Sequence, residues 1–209
     1  MARSAVTDPI RNFKFKVLIQ PTPGSGLATL IGDEIPQLGF SVVSGLTVQN
    51  EMIAYREGGM NTHPHKMVGQ SDYGPVTFTK GVFSDQDALY NWQQFMHSWA
   101  QGGTNEVGST SGNNDYRCDI SVMVYDHPVS SGSYAQPGAG TGNPTPAGAV
   151  KLGYKLFNCW PASFSLGDLN AGDSSILIQQ MVINHEGFAI KWSDSALNGI
   201  SETAVTGLV

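Results

Sequence analysis

The stretch that decides the fold is residues 44–81, SGLTVQNEMIAYREGGMNTHPHKMVGQSDYGPVTFTKG. Two extended arms, Leu46 to Glu57 and Lys66 to Lys80, flank a turn region that is rich in Gly, Asn and Pro. Strands of globular proteins are usually about 5–6 residues long, so these arms are longer than the core of one domain needs. The stretch therefore predicts a β-hairpin that projects from its domain.

The apolar residues of the first arm fall on both faces of the predicted strand. Successive side chains of a strand alternate between its two faces. This alternation places Val48, Met52 and Ala54 on one face and Ile53 and Tyr55 on the other. A projecting hairpin with apolar groups on both sides needs a partner to cover it, and we interpret the whole stretch as an assembly hairpin.

The rest of the chain is typical of a β-rich core with one helix beside it. Four segments have the apolar alternation or the apolar runs of strands, namely residues 12–20, 116–126, 150–160 and 176–190. Residues 84–101 instead carry apolar side chains at three- and four-residue steps, which predicts a helix with Ser84 as its N-cap. We expect a mainly β fold of two packed antiparallel sheets, a β-sandwich or rolled barrel, with one flanking α-helix and the long projecting β-hairpin.

Length and loops indicate a single domain over residues 1–209, because β-rich domains often reach 200–250 residues. Residues 103–115 and 127–149 are polar and rich in Gly, and are predicted to be inserted surface loops. Residues 193–209 form a C-terminal tail without periodicity. The N-terminus lacks a secretory signal and no apolar run approaches the ~18 residues of a membrane span, so we expect cytoplasmic synthesis and no membrane anchor.

Low charge distinguishes the composition. Only 13% of the residues are charged, against roughly 25% in ordinary soluble domains. Such a composition fits a surface that is covered in the working state, and it equally fits a loop-rich β domain. The net charge of −6, with no basic run, argues against a protein that grips nucleic acid by its phosphates.

No residue pattern predicts a catalytic site, a metal site or a cofactor. His63 and His65 are a close histidine pair, but a metal site needs three or four ligands and the spacing suggests no third. The run from Gly108 to Gly112 has Thr at its centre and lacks the setting of a nucleophile elbow. We interpret Cys118 and Cys159 as two free buried thiols, with a disulfide between facing strands as the alternative.

Several blocks of this sequence resemble the tail tube proteins of contractile-tailed bacteriophages, a pattern shared with the inner tubes of related contractile injection systems. The blocks are Val43-Ser44-Gly45-Leu46, Tyr55-Arg56-Glu57-Gly58-Gly59, Lys66 with Gly69, and Val76-Thr77-Phe78-Thr79-Lys80-Gly81, together with the late strand around Val182–Glu186. Two positions depart from the pattern. Val68 stands where the family usually has proline, and the acidic residue that the family usually has near Gln179 or Gln180 is absent.

The resemblance implies a structural protein that self-assembles into stacked hexameric rings, the hollow inner tube of a contractile phage tail and the conduit for DNA ejection. It implies a surrounding sheath protein, baseplate and tail-terminator proteins at the tube ends, and DNA that passes through the lumen without specific binding. The protein would reside in the tail of the virion after assembly in the host cytoplasm. The residues of the hairpin that we expect between subunits are Val48, Met52, Ile53, Ala54, Tyr55, Arg56, Glu57, Gly58, Gly59, Lys66 and Gly69, with Gln49 and Glu51 facing the lumen.

Two other functions stay open on the sequence. The first is the inner tube of a contractile injection system that carries protein cargo. The second belongs to a different class, a monomeric β-sandwich module that binds a ligand through the loop of residues 127–149. An enzyme is a third class, for which the sequence offers no catalytic residue.

Overall fold

The computed structural model describes residues 10, 12–31, 39–83, 87–101, 115–125, 150–172 and 174–191. The two predicted inserted loops, apart from residue 115, and the predicted C-terminal tail lie outside these residues. The elements are β1 (Phe15–Pro21), α1 (Gly26–Ile31), β2 (Phe40–Ser44), β3 (Val48–Tyr55), β4 (His65–Tyr73), β5 (Val76–Gly81), α2 (Ala88–Ala100), β6 (Cys118–Tyr125), β7 (Val150–Leu166), β8 (Ile178–Asn184) and β9 (Gly187–Lys191).

Two antiparallel sheets share the long strand β7. The first part of β7 pairs with β6 and β9, and β6 pairs in turn with β1. The second part of β7 pairs with β8, and the order continues through β5 to β2. The strand changes partners at Asn158, whose φ of 51° lies in the left-handed region, and at a register shift after Pro161. A bulge of this kind bends a strand, which lets one strand serve both sheets.

The core lies between the two sheets and under α2. Alternate residues of the strands point inward, among them Val17, Ile120 and Leu156 of the first sheet and Phe78 and Met181 of the second. This alternation is the pattern that the sequence showed, and it confirms the predicted fold class of two packed antiparallel sheets with a flanking helix.

Helix α2 covers the core with one face. Leu89, Trp92 and Phe95 are buried at three-residue steps, and the Trp92 indole Nε1 donates a hydrogen bond to the Tyr116 carbonyl oxygen at 2.9 Å. The predicted N-cap Ser84 lies outside the described residues, and Asp87 occupies the N-cap position in the structure without a side-chain cap bond.

A second, short helix was not expected. Residues 21–36 contain three prolines and three glycines, a composition typical of a connection, yet Gly26–Ile31 is helical. The Ser25 hydroxyl oxygen accepts a hydrogen bond from the Ala28 amide at 3.1 Å, a typical N-cap contact. Leu27 anchors this helix in the core.

The hairpin is shorter than the predicted span of residues 44–81. The second arm was expected to run unbroken to Lys80, but β4 ends at Tyr73 and β5 begins at Val76. Proline has no amide hydrogen for a strand ladder, and Pro75 separates the two strands. Strand β5 lies inside the second sheet between β8 and β2, so the projecting part is β3, β4 and the turn that joins them.

Candidate functional site

The projecting hairpin forms a two-stranded sheet of its own, separate from the two sheets that share β7. Its pairs run from Val48 opposite Tyr73 to Tyr55 opposite His65. All eight residues of β3 are exposed, which is unusual for a strand because a sheet normally buries at least one face.

Both faces of the hairpin carry exposed apolar side chains. The register places Met52 opposite Val68 on one face and Ile53 opposite Met67 on the other. Each of these four side chains is at least half exposed, and Val68 reaches 79%. The predicted residues Val48 and Ala54 lie on the Met52 face, while Tyr55, Gln49 and Glu51 lie on the Ile53 face.

A bulge interrupts the hairpin ladder at Glu51. The register shifts between Asn50 and Met52, so that one additional residue of β4 faces this part of β3. A Cβ at Gly69 would lie 3.0 Å from the Glu51 carbonyl oxygen. Gly69, which the family pattern singled out, therefore allows the two strands to approach closely at the bulge.

The turn of the hairpin holds the other predicted residues. Arg56 and Glu57 lie just beyond the end of β3 rather than within it, and the Met60 amide donates a hydrogen bond to the Glu57 carbonyl oxygen at 3.2 Å. Gly59 has a φ of 93°, a conformation that favours glycine. Arg56, Glu57 and Lys66 are exposed, and within the described part of the chain none of the three is in an ion pair.

A second exposed apolar surface lies at the opposite end of the second sheet. We call it the end patch, and its members are Val82, Phe83, Leu166, Leu169, Ile176 and Ile178. Strand β5 begins beside the hairpin at Val76 and ends at this patch at Gly81. The hairpin and the end patch therefore lie at opposite ends of the same sheet.

Main-chain hydrogen bonds hold the end patch together. The Val82 amide donates to the Leu177 carbonyl oxygen at 3.0 Å, and the Gly167 amide donates to the Ile178 carbonyl oxygen at 2.7 Å. Leu169 is 86% exposed and Ile176 is 80% exposed. This surface was not predicted from the sequence, although Leu169, Ile176 and Leu177 in the otherwise polar connection between β7 and β8 were a usable signal.

A buried lysine, Lys80, lies in β5 next to the end patch. Lys80 is completely buried and lies opposite Gln179 in the register of β5 and β8. Burial lowers the pKa of the Lys80 ammonium. Gln179 lies in the region where the family pattern usually has an acidic residue, and its Nε2 has no hydrogen-bond partner among the described residues.

A polar cleft of about 460 Å³ lies near Asn158 and is lined by Arg117, Asp119 and neighbouring residues. Its charged groups are engaged with protein partners. Arg117 forms an ion pair with Glu186 at 3.2 Å, and Lys155 forms one with Asp119 at 2.7 Å. The Asn158 side-chain amide also donates to Glu186 at 2.7 Å. These contacts link β6 and β7 to the β8–β9 connection. We therefore interpret the charged groups of the cleft as holding the strands together.

The described residues hold no cluster of three or more potential metal ligands. His63 in the turn and His65 at the start of β4 are exposed, with ring centroids 6.2 Å apart. Cys118 and Cys159 are buried, free and directly opposite each other on β6 and β7. Among the helices that the structure describes, none is long and apolar enough to cross a membrane.

The sequence profile of T4-like virus tail tube protein gp19 matches residues 11–189. The chain belongs to the T4-like virus tail tube protein family. This confirms the resemblance that the hairpin blocks indicated. The match spans both the core sheets and the hairpin of this tail tube protein.

Solved structures share the fold of this tail tube protein. One is the sheath–tube complex of an extracellular contractile injection system, PVC, in its extended state, with a TM-score of 0.59 and 22% identity over 90% of this chain and 95% of that chain. Another is the anti-feeding prophage baseplate, six-fold symmetrised, with a TM-score of 0.60 and 17% identity over 88% and 97%. The cap that terminates the anti-feeding prophage tube gives 0.58 and 21% over 92% and 97%. No curated protein sequence matches the chain.

Proposed function

We propose that this tail tube protein polymerises through its hairpin into stacked six-membered rings, which form the inner tube of a contractile phage tail. The observation that carries the proposal is the hairpin itself, which is exposed on both faces and apolar on both faces. The six-fold order is supported by the six-fold symmetrised structure that shares the fold. We assign the protein no catalytic role.

The positions of the hairpin and the end patch support a head-to-tail contact between copies. A surface that binds a different surface of the next copy generates rings or filaments, whereas a self-complementary surface generates closed dimers. The hairpin leaves the sheet beside Val76 and the end patch lies beyond Gly81. The hairpin of one copy can therefore dock on the end patch of the next, and each copy still presents the same two surfaces.

Charge also favours this pairing. The exposed cations Arg56 and Lys66 lie near the tip of the hairpin with one exposed carboxylate, Glu57, and the exposed carboxylate of Asp168 follows Leu166 of the end patch. Surface ion pairs contribute only ~0–1 kcal/mol, so these charges would set the register of the contact while apolar burial supplies its affinity.

Lateral contacts between neighbours in a ring have a separate basis. Among the described strands, β1 pairs only with β6 and β2 pairs only with β5, so each presents one unpaired edge. An exposed strand edge is a template for pairing with another chain, and closure of a ring removes all such edges. We place the ring contacts at these edges and the axial contacts at the hairpin.

The proposed tube has a lumen, an outer surface and two ends, and each would have its own contacts. We propose that Gln49 and Glu51, in the half of β3 nearer the core, face the lumen, whereas Ile53 and Tyr55 on the same face nearer the tip contact the next copy. DNA would pass without specific binding, since the net charge is −6 and attraction to the phosphates would be weak. A sheath would surround the tube, and baseplate and terminator proteins would bind its ends. Structures with the same fold come from a sheath–tube complex, a baseplate and a tube cap.

Electron microscopy of the purified full-length chain over a range of concentrations tests the proposal. We expect rings or tubes, together with a sedimenting fraction that grows with concentration. The matched control deletes residues 48–73 and joins Thr47 to Gly74 through two glycines, which is feasible because the Gly74 amide lies 3.1 Å from the Thr47 carbonyl oxygen. The deletion should leave a folded protein that forms no tubes. A wild-type chain that stays monomeric, or a deletion variant that still forms tubes, would contradict the proposal.

A further inference from the structure

The base of the hairpin contacts a buried histidine of the core. His185 follows β8 and is only 8% exposed. Its Nε2 lies 3.1 Å from the carbonyl oxygen of Gly74, the residue that directly follows the hairpin strand β4. Its Nδ1 lies 3.2 Å from the carbonyl oxygen of Gly187 in β9. One imidazole ring therefore stands between the hairpin and the first sheet.

Aromatic rings enclose this histidine from both sides of the junction. The ring of Tyr73, the last residue of β4, lies 5.7 Å from the His185 ring and 5.7 Å from the ring of Phe188. The His185 and Phe188 rings are 6.0 Å apart. Rings at these separations stabilise one another beyond the area that they bury, so the end of the hairpin packs onto the core through a three-ring cluster.

The main chain is also tightly packed at the junction. The Gly74 amide donates a hydrogen bond to the Thr47 carbonyl oxygen at 3.1 Å, which closes the hairpin where it leaves the core. A Cβ on Gly74 would collide with the Thr47 hydroxyl. The carbonyl oxygen of the same Gly74 faces His185, so Gly74 connects the closure of the hairpin to its attachment on the core.

Only one tautomer of the neutral His185 ring can donate a hydrogen bond to the Gly74 carbonyl oxygen. A neutral ring has a single N–H, so it can donate either from Nε2 to Gly74 or from Nδ1 to Gly187. Burial lowers the pKa of His185, which favours the neutral ring near pH 7. The groups around it are the Tyr73 phenol, the Phe188 ring and two carbonyls, while the adjacent Glu186 carboxylate is held by Arg117 and Asn158.

We propose that His185 is the positioning residue of the assembly hairpin. By donating from Nε2 to the Gly74 carbonyl and packing against the tilted ring of Tyr73, it fixes the angle at which the hairpin leaves the core. The importance of this angle for tube formation rests on the proposed function, whereas the positioning itself is a property of the single chain. Presenting the hairpin at one angle lowers the entropy that is lost when a second copy binds.

Two substitutions separate the hydrogen bond from the packing. His185→Phe retains an aromatic ring between Tyr73 and Phe188 but removes both ring nitrogens. His185→Gln removes the ring but retains an amide N–H that can donate to a carbonyl. If the hydrogen bond positions the hairpin, the phenylalanine variant should loosen the junction and the glutamine variant should restore much of its order.

Amide hydrogen exchange measured by NMR on the unassembled full-length chain gives the first readout. In His185→Phe we expect the Gly74 amide to exchange about 2- to 12-fold faster, the effect of losing one net hydrogen bond. The amides of Tyr125 and Gly167, which donate to Lys14 and Ile178 far from the junction, should keep their wild-type rates. Equal acceleration at all three amides would show a general loss of stability and would overturn the proposal.

Distances between spin labels give the second readout. Labels on cysteines introduced at Met67 in the hairpin and Gln94 on α2 occupy exposed positions, whereas the two native cysteines are buried. We expect a narrow distance distribution in the wild type, a broader one in His185→Phe and a narrow one again in His185→Gln. Unchanged distributions or an unchanged Gly74 amide would each overturn the proposal. Both measurements use unassembled protein, so a failure to form tubes would count against the proposed function and leave this test intact.

Discussion

Gly45 faces the carbonyl oxygen of Pro75 so closely that no side chain fits between them. A Cβ on Gly45 would lie 2.5 Å from that oxygen, and the residue has a φ of 98°. The two residues border the hairpin on either side, one after β2 and the other before β5. The segments that enter and leave the hairpin thus approach each other so closely that only glycine fits at position 45.

Replacing this glycine should destabilise the protein. For Gly45→Ala we expect a loss of about 1–3 kcal/mol in the free energy of unfolding, since both the left-handed conformation and the contact become strained. Urea denaturation measures the change. Gly58→Ala is the matched control, because a Cβ there meets open space, and it should change stability by less than ~1 kcal/mol in either direction. Equal effects at the two glycines would show that the crossing is not strained.

Both faces of the hairpin should be needed for assembly. Met52→Asp and Ile53→Asp place a carboxylate on opposite faces, and each should raise the protein concentration required for tube formation at least about tenfold. Burying one such apolar side chain is worth ~1.5–3 kcal/mol. Sedimentation measures the threshold, and urea denaturation should show unchanged folding because both side chains are exposed.

The conservative variants Met52→Leu and Ile53→Leu serve as controls for these two positions and should assemble almost normally. If Ile53→Asp formed tubes at the wild-type threshold, the face that it shares with Tyr55 and Met67 would be free of partner contacts.

The end patch should be the complement of the hairpin. Leu169→Asp should block assembly as strongly as Met52→Asp, because Leu169 is 86% exposed and gives the folded monomer little stability. Electron microscopy of the two variants, alone and mixed, checks this prediction. Each variant alone retains one intact surface, so the mixture should form short assemblies that neither variant forms alone. A mixture without any complexes would argue against a head-to-tail contact between these surfaces.

The two cysteines should be inert in the folded protein. Burial raises the pKa of both thiols, and each also lies opposite the other in the register. Because the thiolate is the reactive species, a thiol reagent at pH 8 should label almost nothing in the native chain and two thiols after denaturation in guanidinium. Rapid labelling without denaturant would show that the β6–β7 pair opens readily.

Stability should decrease on mild acidification because of His185. Burial holds its folded-state pKa below the ordinary 6.5, so the unfolded chain takes up the proton first as the pH falls. The resulting loss approaches ~1.4 kcal/mol per pH unit for one proton. Unfolding free energies of the wild type and His185→Gln between pH 7.5 and pH 5 should show a steeper decline for the wild type. Parallel pH profiles would show that the histidine titrates normally.

The elements that sequence periodicity predicted well are those with one buried face. Helix α2 has Leu89, Trp92 and Phe95 at helical spacing, and β1 alternates in the way that a half-buried strand does. The hairpin was also recognisable, because its two-sided apolar pattern differs from that of any core strand. Local pattern is sufficient where the environment of each face is uniform.

The predicted strand bounds are wrong where strand pairing in the folded protein overrides the local sequence pattern. Strand β7 was expected to end at Trp160, and the next residue, Pro161, is of a type that is rare inside a strand. The strand nevertheless continues to Leu166, because Pro161 lies next to a bulge and the residues after it pair with β8. Residues 176–190 were expected to form one strand, but β8 and β9 join different sheets on either side of His185.

The end patch could not be predicted from the sequence for a similar reason. Its residues come from the segment that follows β5, from the end of β7, from the start of β8 and from the connection between β7 and β8. No sequence window contains them together, and only the antiparallel pairing of these strands places them at one end of the sheet. The hairpin is local in sequence and could be recognised, whereas its complement is not.

The shared strand β7 has a mechanical consequence. Its 17 residues run through both sheets without a break in the main chain. A force that pulls the two sheets apart therefore acts on the covalent main chain of β7 as well as on the side-chain packing. A force applied to one sheet would thus reach the other along the main chain of β7, so we expect the subunit to respond to load as one rigid unit.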